Sequence, residues 1–243
     1  MVEIIGLEKS FKKLKVLNGV DAHIEKGKVT AIIGPNGSGK TTTIKCILGL
    51  VIPDKGDILI NKQSIRGDCN YRRQIGYMPQ IAKFPDNLTL KELIAMIIDI
   101  RGNCDLNIRK DVIHHLGLEA YMTKALKTLS GGTKQKVNAL IAFMFNPEIL
   151  ILDEPTVGLD PLSNRYLKER LIKEKENGKA IILTSHIMSE VEEIGDKVIF
   201  LLEGKKYVEG SIKELILETH TKNLESAIAK IMEETRHAQN PKV

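Results

Sequence analysis

The chain has 243 residues, of which 28% are charged, 42% hydrophobic and 4% aromatic, with no tryptophan. This composition excludes disordered, collagen-like and disulfide-scaffold classes, and the length predicts one or two globular domains. The 36 Lys and Arg residues against 31 Asp and Glu residues give a net charge of +5, which is mildly basic and not concentrated in a dense patch. Because aromatic side chains are scarce, a base-stacking platform is poorly supplied, and no nucleic-acid partner is expected.

The cysteines and the apolar runs predict where the chain resides. Cys46, Cys69 and Cys104 are widely separated and match neither a zinc-ligand spacing nor a paired disulfide framework. The N-terminus lacks a signal-peptide pattern, and the longest apolar runs, such as 139–145, fall short of the roughly 18 residues that span a membrane. We therefore expect a cytoplasmic chain without a membrane span.

The first 80 residues are predicted to be rich in strands. Residues 29–33 form a β-branched run between Gly27 and Gly34, which is typical of a buried strand in a parallel sheet. A glycine-rich loop and an apolar-periodic helix follow it directly. That helix is predicted at 41–50, and further short strands at 56–60 and 74–77.

From about residue 85 to 145 the pattern changes to helices. Thr89 and Glu92 form a capping box, which opens a helix that runs through Ile100 and ends at Gly102. Two more helices are predicted, at 107–116 and 132–146. Three helices in succession predict an inserted helical subdomain.

Strand character then returns. Strands are predicted at 149–152 and 180–184, with a helix at 161–176 between them. Asp160 is a suitable N-cap for that helix, and Pro161 suits its first position. A closing hairpin is predicted at 198–202 and 205–208, and a polar helical tail from residue 211 onward.

Residues 34–41, GPNGSGKT, match the P-loop pattern at every fixed position and stand between a strand and a helix, as that motif requires. Its glycines let successive backbone N–H groups face phosphates, and the helix N-terminus adds its positive dipole end. Lys40 is predicted to reach the β- and γ-phosphates, and the Thr41 hydroxyl to bind Mg²⁺. The loop therefore predicts binding of a nucleoside triphosphate. The predicted nucleotide-contacting residues here are Gly34, Pro35, Asn36, Gly37, Ser38, Gly39, Lys40, Thr41 and Thr42.

Two adjacent carboxylates, Asp153 and Glu154, end the apolar strand at 149–152. This is a suitable place for a metal ligand and a water-activating base, so Asp153 is predicted to serve Mg²⁺ and Glu154 to polarise the attacking water. The alternative is a solvated acidic pair at the end of a strand. The P-loop upstream favours the catalytic interpretation.

A turn of small residues, Leu129-Ser-Gly-Gly-Thr-Lys-Gln135, precedes a predicted helix. Alone it would indicate only an N-capped helix start. Together with the P-loop and the acidic strand end, it resembles the LSGGQ signature of ATP-binding cassette (ABC) proteins. The resemblance covers about residues 2–210, with one departure, because Thr133 stands where the family usually has Gln.

The resemblance implies further site residues. Phe11 stands where the family has an adenine-stacking aromatic, Gln80 where it has the Q-loop, Asp160 where it has the D-loop, and His186 where it has the switch histidine. The alternatives are a surface or core aromatic for Phe11, a turn residue for Gln80, an N-cap for Asp160, alone or in addition, and a structural His186. Lys40, Gln80, Glu154 and His186 are implied as catalytic, and Thr41, Gln80 and Asp153 as Mg²⁺ ligands.

The family also implies partners. Two cassettes pair head to tail, so that Ser130, Gly131 and Gly132 of one copy contact the ATP held by the P-loop of the other. A separate polytopic membrane subunit is expected, with the chain on the inner face of the cell membrane. Because Ser130 and the glycines supply the contact, Thr133 is expected to tune turnover without abolishing it.

The implied function is an ATP-hydrolysing subunit of an ABC transporter. The segments at 75–80, 84–89, 130–136 and 201–204 resemble the ATPase partner in the copper-site maturation system of nitrous-oxide reductase. The alternatives are a multidrug or antibiotic efflux ATPase and a soluble cassette ATPase that does not act in transport.

The expected fold is α/β, with a P-loop NTPase (RecA-like) core containing a mixed or parallel sheet, an inserted helical subdomain and an N-terminal antiparallel β subdomain. The expected division assigns 1–84 and 147–210 to the nucleotide-binding core. It assigns 85–146 to the helical subdomain with the signature and 211–243 to the C-terminal tail.

Overall fold

The computed structural model of the chain describes residues 1–239, so positions 240–243 of the predicted tail lie outside the described residues. Its contacts divide the chain into two compact units, Met1–Arg66 with Thr184–Val243, and Gly67–Leu183. The division predicted from the sequence, with its core, helical subdomain and tail, stays a prediction. Among residues 1–239, no helix is long and apolar enough to cross a membrane.

The elements of the described residues follow in chain order. They are β1 (Val2–Phe11), β2 (Leu14–Ile24), β3 (Val29–Ile33), α1 (Lys40–Ile47), β4 (Lys55–Ile60), β5 (Gln63–Ser64), β6 (Ile75–Met78), α2 (Leu90–Arg101), α3 (Leu106–His115), α4 (Gly131–Phe143), β7 (Ile149–Asp153), α5 (Pro161–Glu176), β8 (Ala180–Thr184), α6 (Met188–Ile194), β9 (Lys197–Leu202), β10 (Lys205–Ser211), α7 (Ile212–Glu218) and α8 (Leu224–Gln239). Short 3-10 helices at Asn70–Gln74, Glu119–Tyr121 and Leu126–Thr128 complete the list.

The first unit contains an antiparallel sheet in the order β2-β1-β4-β5. Val2, Ile4 and Leu7 of β1 are buried, whereas the residues between them are more exposed. This alternation is typical of an antiparallel sheet with one face on the core. The sheet confirms the predicted N-terminal antiparallel β subdomain, although the sequence reasoning did not place β1 and β2 individually.

The same unit holds the strand that leads into the P-loop. All five residues of β3 are buried, and β3 pairs in parallel with β9, which pairs antiparallel with β10. The hairpin of β9 and β10 and the buried β3 were both predicted. Parallel strands buried on both faces need near-continuous apolar residues, and the sequence VTAII supplies them.

Helix α1 ends earlier than predicted, at Ile47 and not at residue 50. Gly49 adopts φ +64°, and its N–H donates to the Cys46 carbonyl at 2.9 Å while the Leu50 N–H donates to the Lys45 carbonyl at 2.8 Å. These two bonds form a Schellman motif with Gly49 in the left-handed position. Of the apolar residues that follow the helix, Leu48 is buried whereas Leu50 is 63% exposed, so the apolar pattern extends beyond the helix itself.

The second unit combines parallel strands with helices. Strands β6 and β7 pair in parallel, and β8 lies beside β7. The capping box at Thr89 and Glu92 is present at the start of α2, as predicted. Helix α4 ends at Phe143, not at residue 146, because Asn146 adopts φ +49° and donates its N–H to the Phe143 carbonyl. Together the two units confirm the predicted α/β class with a mixed sheet, an antiparallel N-terminal sheet and several helices.

Candidate active site

The P-loop of the first unit has the shape that its glycines allow. A Cβ on Gly34 would lie 2.1 Å from the Leu201 carbonyl oxygen, and one on Gly39 would lie 2.7 Å from a methyl of Leu17. Both residues also have positive φ, +150° and +106°. Only glycine fits at these two positions, since any side chain would collide with neighbouring atoms and strain the backbone.

The Lys40 side chain folds back over this loop. Its Nζ donates to the Gly34 carbonyl at 2.8 Å and to the Pro35 carbonyl at 3.0 Å, and the residue is only 8% exposed. Pro35, Asn36 and Gly37 form the exposed rim of the loop. The ammonium group is therefore held at the place where the P-loop motif requires a positive charge.

The loop also contains a buried hydroxyl with an unmet hydrogen-bonding capacity. Among the described residues, the Ser38 Oγ has no hydrogen-bond partner, although Ser38 is only 2% exposed. A Cβ built on Gly34 would lie 2.7 Å from this oxygen, which places the hydroxyl inside the curl of the loop. Buried polar groups are rarely left unpaired, so the loop fits an acceptor such as a phosphate oxygen.

Phe11 and His186 belong to the same unit. Phe11 ends β1 with 46% of its surface exposed, and the Lys9 ammonium lies 5.6 Å from its ring centroid. His186 is exposed and follows β8 after Ser185, whose Oγ accepts the Ile187 N–H at 3.0 Å. Phe11 is thus a half-exposed surface aromatic, and its adenine role, like the switch role of His186, stays a prediction.

In the second unit, β7 ends at Asp153 and the chain turns sharply at Glu154. Asp153 is 3% exposed. Burial of Tyr77 raises the pKa of its hydroxyl to about 12, and the negative charge of Asp153 contributes to this increase. Glu154 has φ +51°, a left-handed conformation that costs a residue with a side chain about 1–2 kcal/mol. The turn separates the two carboxylates, so that adjacent residues can serve different purposes.

Gln80 and Glu154 are brought together although 74 positions separate them in the sequence. The Gln80 Nε2 donates to the Glu154 Oε2 at 3.2 Å. The Q-loop residue therefore contacts the predicted base directly. This contact orients one oxygen of the carboxylate.

The signature segment begins α4. Ser130 is its N-cap and accepts the Thr133 N–H at 3.1 Å, while the two hydroxyls, Ser130 Oγ and Thr133 Oγ1, lie 2.9 Å apart. Thr133, the residue that departs from the family pattern, is 8% exposed and contacts the very hydroxyl predicted to meet a phosphate. Sequence reasoning missed this contact.

Asp160 is both an N-cap and an ion-pair partner. It accepts the Ser163 N–H at 3.0 Å at the start of α5, which confirms the predicted cap, and its Oδ2 lies 2.7 Å from the Lys136 Nζ of α4. The Lys136 ammonium first and the Ser163 donors second hold the pKa of the Asp160 carboxyl well below its usual range. A Cβ on Gly132 would lie 2.5 Å from the Gly158 carbonyl oxygen, so the signature and the D-loop of one chain are in close contact.

Lys136 is a residue that the sequence reasoning did not select. Its spacing of six residues after the Ser130 N-cap places it near the end of the second turn, and only the tertiary contact identifies its partner.

The oxygen donors predicted for Mg²⁺ suit that ion. Among residues 1–239, no group of three or more His, Cys, Asp and Glu side chains is arranged to hold a metal. Mg²⁺ bound with a nucleotide does not need one, because one or two protein oxygens, waters and phosphate oxygens complete its shell. The Thr41 hydroxyl, the Gln80 amide and the Asp153 carboxylate are donors of this type, and their ligand roles stay predictions.

Comparison with known proteins shows the family to which the chain belongs. The sequence profile of the family described as ABC transporter matches residues 17–157. The Nod factor export ATP-binding protein I of Burkholderia pseudomallei (strain 1710b) is 32% identical over 219 residues, which cover 88% of this chain and 72% of that protein. The lantibiotic transport ATP-binding protein SrtF of Streptococcus pyogenes is 36% identical over 210 residues, covering 86% of this chain and 90% of that protein.

A solved structure described as the ATP-binding subunit of an ABC transporter superposes with a TM-score of 0.89 at 30% sequence identity and covers 96% of this chain and 99% of its own. The family profile, the two relatives and this superposition all indicate the same family. The chain therefore belongs to the ABC transporter family, as one of its ATP-binding, ATP-hydrolysing cassettes.

Proposed function

We propose that this chain hydrolyses Mg²⁺-ATP as a head-to-tail homodimer and drives export through a separate membrane subunit, from the cytoplasmic face of the cell membrane. The observation that carries the nucleotide part is the P-loop, which holds the Lys40 ammonium and the unpartnered Ser38 hydroxyl and requires glycine at positions 34 and 39. ATP phosphates supply an acceptor for the Ser38 hydroxyl and negative charge beside the Lys40 ammonium.

In this mechanism, backbone N–H groups and Lys40 bind the β- and γ-phosphates. Thr41, Gln80 and Asp153 would hold Mg²⁺, which would supply positive charge to neutralise the phosphates. Glu154 takes the proton of the attacking water, oriented by the Gln80 amide at 3.2 Å, and His186 steadies the γ-phosphate. Phosphoryl transfer requires mainly positioning and electrostatic stabilisation, which these groups provide.

The dimer is supported by the start of α4. Ser130 caps the helix, a Cβ on Gly131 would have no atom within 4 Å, and the helix dipole is positive at this end. An exposed, glycine-lined helix start suits an anion presented by another molecule. We therefore assign Ser130, Gly131 and Gly132 to the ATP held by the partner copy.

A role in transport is supported by both relatives, whose names refer to Nod factor export and lantibiotic transport, and export as its direction by the first of these names. The narrower proposal of copper-site maturation of nitrous-oxide reductase rests on the sequence resemblance of the segments at 75–80, 84–89, 130–136 and 201–204. Multidrug or antibiotic efflux is the alternative within transport. Since the membrane subunit selects the substrate, these motifs support ATP hydrolysis by this chain more strongly than they support any particular transported substrate.

Two measurements test the proposal. Purified chain should hydrolyse ATP with Mg²⁺ and lose that activity with excess EDTA, and Lys40→Ala should greatly weaken ATP binding in calorimetry. Tagged chain should co-purify from membranes with a polytopic protein. A chain recovered wholly without membrane partners, which bound nucleic acid in a salt-dependent way, would instead support a soluble cassette ATPase.

A further inference from the structure

A buried amide links the signature helix to the Q-loop within one chain. Asn138 lies on α4 and is 3% exposed. Its Nδ2 donates to the Pro79 carbonyl at 3.2 Å and to the Gln135 Oε1 at 3.0 Å. Pro79 directly precedes Gln80, whose side chain donates to Glu154. Helix α4 is thus joined to the predicted base, Glu154, through the Asn138–Pro79 bond, the peptide unit from Pro79 to Gln80 and the Gln80–Glu154 bond.

Packing alone does not explain an amide at this position. The helix neighbours of Asn138, which are Val137, Ala139 and Leu140, are apolar and buried. Asn is a poorer helix former than Ala or Leu, and burying an amide is costly unless it is hydrogen-bonded. Asn138 makes two such bonds, one to the buried Gln135 of its own helix and one to Pro79, and of these two the bond to Pro79 links α4 to another segment.

The Q-loop backbone at Pro79 lies just beyond the end of a strand. Strand β6 ends at Met78, and Gln80 is exposed, so beyond the strand the backbone has no ladder to hold it. The Pro79 carbonyl bond fixes the peptide from which Gln80 extends. A shift of that peptide away from Glu154 would lengthen the 3.2 Å bond between Gln80 and Glu154, and hydrogen bonds weaken steeply beyond about 3.5 Å.

We propose that Asn138 is a positioning residue for hydrolysis, which acts by holding Pro79 so that Gln80 orients Glu154. This inference rests on the proposed function. In the proposed dimer, Ser130 at the start of α4 meets the partner's ATP, whereas Glu154 acts on the ATP of its own chain. Asn138 then connects the two ATP sites through a single helix, and its loss lowers turnover and also the cooperativity between sites.

The test measures ATP hydrolysis and ATP affinity for Asn138→Ala, Asn138→Leu and Gln80→Ala. Asn138→Leu keeps the volume and favours the helix, so it separates loss of the bond from a cavity. We expect both Asn138 variants to lower kcat about tenfold and to bind ATP within about twofold of the unmodified chain, because the P-loop is untouched. The Hill coefficient for ATP should fall toward one.

A double variant decides whether Asn138 acts through Gln80. Asn138→Ala should add no further loss to Gln80→Ala, because the group that it positions is already gone. The matched control is Tyr166→Phe, which removes a part-buried 2.8 Å bond to Asp111 that leads to neither motif. It should lower the urea midpoint while leaving kcat unchanged.

Unchanged kcat in both Asn138 variants, beside an impaired Gln80→Ala, would overturn this inference and leave the proposed function standing. Equal fold-losses from Asn138→Ala with and without Gln80 would also overturn it, because the effect would then be independent of the Q-loop. Full hydrolysis by Gln80→Ala would overturn both this inference and the role proposed for Gln80.

Discussion

At the scale of single residues, Glu154 shows how a cassette separates two carboxylates that are adjacent in sequence. Its backbone is left-handed, directly after the last residue of β7, and the Gln80 amide donates to one of its oxygens. Its backbone conformation is unfavourable for a residue with a side chain. Such conformations are common at functional sites.

The carboxylate can be tested without disturbing this turn. Glu154→Gln keeps the shape and the left-handed strain but cannot accept a proton at neutral pH. We expect ATP affinity to remain and hydrolysis to fall at least about 100-fold, which is the usual size of general-base catalysis. A radiometric phosphate-release assay measures it, and an undiminished rate would remove Glu154 from the mechanism.

Thr133 offers a second residue-scale test. Its hydroxyl lies 2.9 Å from that of Ser130, so it orients the proton of the proposed phosphate ligand. Thr133→Val is nearly isosteric and should lower kcat severalfold, by about 1 kcal/mol of transition-state stabilisation, the typical net value of one hydrogen bond. Thr133→Ser restores the hydroxyl and should restore the rate. If Val and Ser behaved alike in steady-state kinetics, the hydroxyl contact would have no role.

At the scale of elements, the sequence predicted those whose ends carry strong local signals. Strand β8 and helix α5 have the predicted bounds, because a buried β-branched run and an Asp160-Pro161 start depend on few other residues. Helices α1 and α4 were predicted too long because left-handed Gly49 and Asn146 turn the chain while the apolar pattern continues. The apolar pattern indicates which residues are buried, and residues just beyond the end of a helix can also be buried.

The N-cap of α5 gives an element-scale prediction on pH. The pKa of Asp160 is lowered in the folded chain, so its ionised form stabilises the fold above its unfolded pKa of about 3.9, and this stabilisation is lost as the pH falls below that value. Asp160→Asn keeps a capping oxygen but loses the ion pair with Lys136. Since the Asp160 side chain is 47% exposed, solvent screening limits the expected loss at pH 7 to about 1 kcal/mol or less.

Urea unfolding at pH 7 and near pH 3 measures this difference. The gap between Asp160→Asn and the unmodified chain should be largest at pH 7 and shrink in acid. Glu169→Gln is the control, because the Arg165–Glu169 pair is exposed on both sides and should contribute little at either pH. A gap that widened in acid would contradict the direction of the pKa shift.

At the scale of the whole molecule, the motifs indicated the activity but not how they connect. The P-loop, signature and acidic strand end were all predicted from local patterns. The bonds from Gln80 to Glu154, Lys136 to Asp160 and Asn138 to Pro79 join residues far apart in sequence. Such pairs are set by tertiary packing, and no local pattern in one sequence specifies them.

The head-to-tail dimer is the whole-molecule property that these motifs imply, and Gly131 allows a clean test of it. A Cβ at Gly131 would meet no atom within 4 Å, and an acidic residue in the first turn of a helix is favourable, so Gly131→Asp should fold normally. Its charge would face the γ-phosphate of the partner's ATP.

In the Glu154→Gln background, where ATP persists, sedimentation velocity should detect a dimer with ATP but a monomer with ADP. Adding Gly131→Asp should abolish the ATP-dependent dimer while calorimetry still detects ATP binding to the monomer, because the P-loop is intact. A dimer that persisted in the double variant would place the signature outside the interface and contradict the head-to-tail arrangement.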